Sequence, residues 1–215
     1  GEEAAVRVNA VVNQADNGGN TIDKLGIAPT FRWGIGTRDE FSVGLYHLQY
    51  RNGINYGFPW LQNQVSEAFQ PDGYYAAASD YTAGGTTYGT ATHVHRFAAD
   101  SELRTVLRIG RYVRDQRASA IRFAAASLQP GGLAVSPATI GPGTVLTRGS
   151  QNKIQDMDSV YLQSDYSKRF EALGRTHSLL AGVDVAVDAF TRYAAVAPAG
   201  TTIPAKPTTA IGTPD

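Results

Sequence analysis

"SLLAGVDVAVDAF", residues 178 to 190, alternates without interruption. Leu179, Ala181, Val183, Val185 and Val187 share one parity, while Gly182, Asp184 and Asp188 take the other. A period of two marks a strand with one apolar and one polar face. A helix would scatter the same residues around its circumference. The stretch is also longer than the usual strand of about five or six residues. It reads as one long, two-faced strand.

The same pattern recurs along the chain. In 4–14, Val6, Val8, Ala10 and Val12 oppose Arg7, Asn9 and Asn13. In 26–36, Ile27, Pro29, Phe31, Trp33 and Ile35 oppose Ala28, Thr30, Arg32 and Gly34. Phe41, Val43 and Leu45 oppose Ser42, Gly44 and Tyr46 in 40–50. In 102–112, Leu103, Thr105, Leu107 and Ile109 oppose Arg104, Arg108 and Gly110. Residues 87–97 and 159–170 repeat the pattern more weakly. The expected architecture is all-β, an antiparallel up-and-down meander of about seven strands of roughly 10 to 16 residues.

The links differ in length. Short ones fall at 34–40, 98–102 and 171–176, each with turn residues and a charge. Long ones are expected at 53 to about 85 and 118 to about 153, with an unfinished one from 193. The link around 16–21, "DNGGNT", reads as intermediate. Short links therefore gather at one end of the sheet and longer links at the other.

Composition narrows the function. Lys plus Arg balance Asp plus Glu at 19 each, so no global field draws nucleic acid or an anionic surface. There is no Cys, which excludes disulfide frameworks, thiolate metal sites and Cys nucleophiles. No run approaches the ~18 apolar residues of a membrane helix. The opening "GEEAAVRVNA" lacks a Met and a signal-like core, and the end reads as an unfinished loop. The chain is expected to be a piece of something longer.

Long amphipathic strands suit a soluble β-sandwich or a transmembrane barrel. A sandwich buries its apolar faces against each other and uses ordinary strands. A barrel turns them to lipid, keeps a polar lumen, and joins strands by short periplasmic turns and long outer loops. Strand length, loop asymmetry and the charges repeated opposite the apolar stripes favour the barrel.

Several stretches tempt a chemical reading. His93 and His95 share a strand face, with no carboxylate nearby in sequence, and are expected to face the lumen. Asp156 and Asp158 form one same-face pair, and Asp184 and Asp188 another. Lumenal charge pairing with Arg104 or Arg108 is the expectation for them, rather than acid–base work. "GTRDE" (36–40) and "RDQR" (114–117) read as solvated turn or rim charges, and "PGGLAVSPATIGPGT" (130–144) as a mobile loop. "AGGTT" (83–87) precedes no helix and so cradles no phosphate. No catalytic constellation emerges, and an enzyme is not expected.

In "INYGFPWLQ" (54–62), Pro59 cannot donate to a ladder, so Tyr56, Phe58 and Trp60 belong to a loop. Gly26-Ile27-Ala28-Pro29, Gly34-Ile35-Gly36-Thr37 and Tyr56-Gly57-Phe58-Pro59 follow one another in 24–61. That run resembles the mid-barrel region of TonB-dependent siderophore receptors. Residues 92–115 and 163–185 are similar to the strand–turn–strand units that follow in the family. The family's barrel has about 22 strands, with a plug domain and an energy-coupling box. The resemblance implies that 1–215 is an incomplete slice of a transmembrane β-barrel, without plug or box.

Its implied place is the outer membrane of a Gram-negative bacterium, in contact with lipid. Its implied partners are a ferric siderophore and, through the missing plug, the TonB energy-coupling complex. No cofactor is implied. Tyr56, Phe58 and Trp60 become the candidate ligand contacts, because exposed rings stack on flat groups and cations. They also suit packing between loops or a place at the membrane boundary. The other readings are a porin-like or adhesive barrel without chelate transport, and a soluble carbohydrate-binding β-protein.

Overall fold

The computed structural model describes residues 3–17 and 20–214. Seven strands follow one another in space as they do in sequence: β1 (Ala4–Asn17), β2 (Asn20–Trp33), β3 (Asp39–Asn52), β4 (Tyr81–Ala98), β5 (Ser101–Phe123), β6 (Val145–Ala172) and β7 (Arg175–Tyr193). Every neighbouring pair is antiparallel. A two-residue strand, β8 (Thr209–Ala210), adds to the start of β6 at Val145 and Leu146. All belong to one sheet, an open up-and-down meander.

Register fixes the faces, because residues paired across an antiparallel ladder point the same way. One row reads Val6, Phe31, Val43, Ala91, Leu107, Leu162 and Val185 across all seven strands. The adjacent row on the other face reads Ala5, Arg32, Ser42, Thr92, Val106, Gln163 and Asp184. Arg104 pairs with Asp165 and Arg108 with Tyr161 on that same polar face. The ladder between β5 and β6 runs unbroken, so Arg104 and Leu107 stand on opposite faces. The only irregularity in the β4–β5 ladder lies between Arg96 and Ala98, beside the turn.

β1 to β3 keep the expected length at 14 residues each, whereas β4 to β7 exceed it, with 23 in β5 and 28 in β6. The loop expected over 118–153 shrinks to 124–144, because Ala118–Phe123 pair with Leu146–Gln151. The expected end of the first long loop moves from about 85 to 80. Around 16–21, strand continues to Asn17 and resumes at Asn20; residues 18 and 19 of that expected link lie outside the described residues.

The short turns show why their sequences are what they are. Gly34 has φ +66°, and a Cβ there would sit 2.3 Å from the Asp39 carbonyl oxygen. The Thr37 hydroxyl lies 2.8 Å from the Gly34 oxygen and closes the turn. Leu173 and Gly174 both take positive φ, as the twist of a two-residue hairpin requires.

The wall has no interior of its own. Val6 is 69% exposed and Val183 66%, whereas Leu146 is fully buried. The hydrophobic core lies instead among the links at the long-loop end. Phe69, Tyr75, Ala76, Ile121, Leu146 and Ile211 form it, with Phe58 and Phe123 packed against it. Polar ties bind the same assembly: Tyr75 Oη donates to the Ile211 carbonyl at 2.8 Å and Arg148 Nε to the Tyr75 carbonyl at 2.7 Å. Lys206 Nζ reaches Asp80, Ser119 and the Ala118 carbonyl at 2.8 to 3.0 Å. The segment after β7 is thereby fastened onto the 53–80 loop and the extended β5–β6 hairpin.

Candidate ligand-binding site

The loop aromatics divide by environment. Phe58 stacks on Phe69 at 5.0 Å and meets Tyr75 edge-on at 5.7 Å, so it belongs to the loop core. Trp60 is 69% exposed, just before a tight reversal in which Leu61 and Gln64 exchange backbone hydrogen bonds. Tyr56 is half-exposed, and its hydroxyl accepts from Gln116 Nε2 at 2.6 Å. That bond draws the loop over the polar face of β5.

Beneath Tyr56 the polar face changes character. Tyr50, Thr86, Tyr112, Arg114, Gln155, Met157 and Phe190 share its parity across β3 to β7. They line a cleft of about 220 Å³. Gly84 makes room for one of its rings: a Cβ there would stand 2.7 Å from the Tyr50 hydroxyl. Arg114 donates through Nη2 to the buried Gln116 amide oxygen. Its Nε is buried and has no partner among the described residues. Orphaned buried donors of that kind are rare.

"RDQR" was expected to carry solvated rim charges, and this does not hold for its even-numbered members. Gln116 is fully buried and Arg114 is drawn under the loop with it, because β5 runs on past the point where its alternation fades. The "GTRDE" turn corrects likewise. Glu40 is 5% exposed and is bridged by Arg32 and Arg96 on the polar face, with the Gly36 N–H 3.3 Å from its carboxylate. Three consecutive strands are pinned together there, at the short-turn end.

The apolar face carries its own order. Phe31, Trp33, Phe41 and His93 stack in sequence at 5.3, 5.4 and 4.4 Å. His95, Phe97 and Tyr166 continue the row by edge contacts. A band of rings thus crosses the short-turn end of the apolar face. His93 and His95 belong to it; the expectation that they face the lumen fails, because His93 pairs with Phe41 and Thr105 in the ladder. Asp39, 54 residues away from His93, comes within 2.9 Å of His93 Nε2 and 2.6 Å of His95 Nδ1.

At the other end the apolar rows stop at a polar ledge. Arg111 pairs with Asp156 at 2.9 Å and lies 3.9 Å from Asp158. Both carboxylates therefore stand on the parity of Leu107 and Ile109, and the expected lumenal pairing with Arg104 or Arg108 is corrected. Arg108 instead lies over the Tyr88 ring at 4.6 Å. Tyr193 donates to Asp156 at 3.0 Å, and that carboxylate holds the phenol above its ordinary pKa, so it stays a donor. Arg51 over Tyr81, and Asp115 beside Arg117, extend the polar surface upward.

No protein-family model and no curated protein sequence matches the chain. Solved structures do. The closed form of the ferric-catecholate import receptor Fiu of E. coli K12 superposes over 100% of this chain with a TM-score of 0.82 at 20% identity. Its open form gives 0.77 at 19% identity, again over the whole chain. The siderophore receptor PiuA of Acinetobacter baumannii gives 0.69 at 18% identity over 88% of the chain. The chain spans 31%, 33% and 27% of those proteins respectively, about a third of their length. The architecture described above matches, in fold, part of the barrel wall of those solved receptors.

Proposed function

We propose that this chain supplies wall and outer loops to a TonB-dependent receptor that captures a ferric siderophore in the outer membrane of a Gram-negative bacterium. The apolar face, closed by the aromatic row at one end and the Arg111–Asp156 ledge at the other, would meet lipid. An uncovered apolar surface of this extent argues against a soluble carbohydrate-binding protein. The likeness in fold to ferric-catecholate and siderophore receptors favours capture over passive conduction.

The observation that carries the ligand assignment is the position of Arg114, which lines a cleft with Tyr50 and Tyr112 beneath the 53–80 loop. Ferric catecholates combine anionic oxygens with flat rings. Arg114 would give those oxygens a charge-assisted hydrogen bond, and Tyr50, Tyr112 and Trp60 would offer faces for the rings. Tyr56 positions the loop above them. In the family, import is driven through the plug and TonB, so this part contributes recognition.

The test is titration of the full-length receptor, folded in detergent, with a ferric tris-catecholate. Arg114→Ala is expected to weaken binding by roughly tenfold or more, the scale of a lost hydrogen bond to a charged group. Arg114→Lys should recover part of it. Equal affinity in all three proteins would remove Arg114 from the site and the reading with it.

A further inference from the structure

We propose that Asp39, His93 and His95 form a binding site for a divalent first-row transition metal, with zinc the ion its donors suit best, on the apolar side of the wall at the short-turn end. The site is separate from the ligand cleft: it lies on the opposite face and at the other end of the strands.

Three features make the cluster more than a chance meeting. The first is convergence. One ligand atom from each residue lies within 4.8 Å of the other two, and both rings aim a nitrogen at the same Asp39 oxygen. Two imidazoles and a carboxylate are a donor set that zinc accepts, with water in the remaining position.

The second is preorganisation. Asp39 stands directly opposite His95 in the ladder, and His93 is its diagonal neighbour on the same face. The His93 ring is stacked on Phe41 with only 5° between planes, and His95 rests edge-on against Phe97. The rings are held by packing before any ion arrives. Tetrahedral coordination at ordinary zinc distances separates ligand atoms by about 3.3 Å. The present contacts of 2.6 and 2.9 Å therefore open by under an ångström, within reach of a side-chain rotation of half-exposed Asp39.

The third is charge. Arg32 and Arg96, the cations of the adjoining strands, are committed to Glu40 on the opposite face, with Glu102 a further partner of Arg96. Asp39 is left with the two imidazoles as its partners in the cluster.

The experiment is isothermal titration of the full chain, folded in detergent, with zinc chloride, paired with the visible spectrum of the cobalt(II) complex. The chain has four histidines, so His47→Ala and His177→Ala serve as controls. One equivalent of zinc and a four-coordinate cobalt spectrum are expected in the parent and in both controls. His93→Phe keeps the stack on Phe41 while deleting the donor. With His95→Ala and Asp39→Asn, it is expected to lower affinity by roughly tenfold or more, since even outer-shell changes cost 10- to 100-fold. Heat-modifiable migration verifies that each variant is folded. Absence of zinc binding by the parent, or unchanged binding in folded His93→Phe/His95→Ala, overturns the proposal.

Discussion

Gln116 Nε2 donates to the Tyr56 hydroxyl at 2.6 Å, across 60 residues of sequence, and this bond joins the 53–80 loop to the polar face of the wall. Gln116 is fully buried, and its amide is held by Tyr56, Arg114 and, at 3.5 Å, the Gln151 carbonyl. Removing the Tyr56 hydroxyl leaves the buried Nε2 with that one long contact, which costs about 1 to 3 kcal/mol.

Tyr56→Phe is accordingly expected to loosen the 53–80 loop while the strands stay paired. Hydrogen exchange should rise within that loop and remain unchanged in the 101–117 part of β5. Uniform protection in both proteins would mean that the loop docks through its apolar residues alone.

Phe58 and Trp60 should behave oppositely despite their proximity. Phe58→Ala opens a cavity against Phe69 and Tyr75, for which about 2 to 4 kcal/mol is expected in a partly buried site. Trp60→Ala touches an exposed ring and should stay within about 0.5 kcal/mol. Limited proteolysis of the loop separates them: faster cutting in the Phe58 variant, parental cutting in the Trp60 variant.

The two faces offer a one-residue comparison. Leu162 stands on the apolar face and Gln163 on the polar one. In lipid, Leu162→Arg is expected to cost about 2 to 4 kcal/mol of folding stability, the scale for a cation at mid-bilayer. Gln163→Arg should cost far less. Urea unfolding in vesicles measures both, and equal effects would deny that the faces see different solvents.

Glu40→Gln tests the pin at the short-turn end. The Arg32 and Arg96 guanidinium groups then lose a charged acceptor that is almost wholly buried. A loss of about 1 to 3 kcal/mol is expected, with raised exchange at the β2–β3 turn. A neutral effect would mean that the ladder alone holds the three strands.

The fold was legible where apolar-face and polar-face residues alternate, as in 4–12 and 178–188. There a single solvent boundary imposes period two on the sequence. The signal fades in 113–123 and 145–158, where the strands rise past the apolar rows and pack against loops. Ile121 and Leu146 are buried there among links, not in a stripe. In β4 the parity itself misleads: Tyr88 and Val94 sit with the polar residues, and Gly89, Ala91 and His93 with the apolar ones. Only the register with Phe41 and Leu107 resolves it. Asp39 beside His93, and Gln116 beside Tyr56, are long-range meetings that local spacing does not encode.

The most direct measurement uses the chain's two tryptophans, Trp33 on the apolar face in the aromatic row and Trp60 on the exposed loop. With Trp60→Phe, the emission of Trp33 in reconstituted bilayers is predicted to be quenched by brominated lipid and spared by aqueous iodide. With Trp33→Phe, the emission of Trp60 is predicted to show the reverse. Quenching of Trp33 by iodide and not by brominated lipid would contradict a wall whose apolar face meets the membrane.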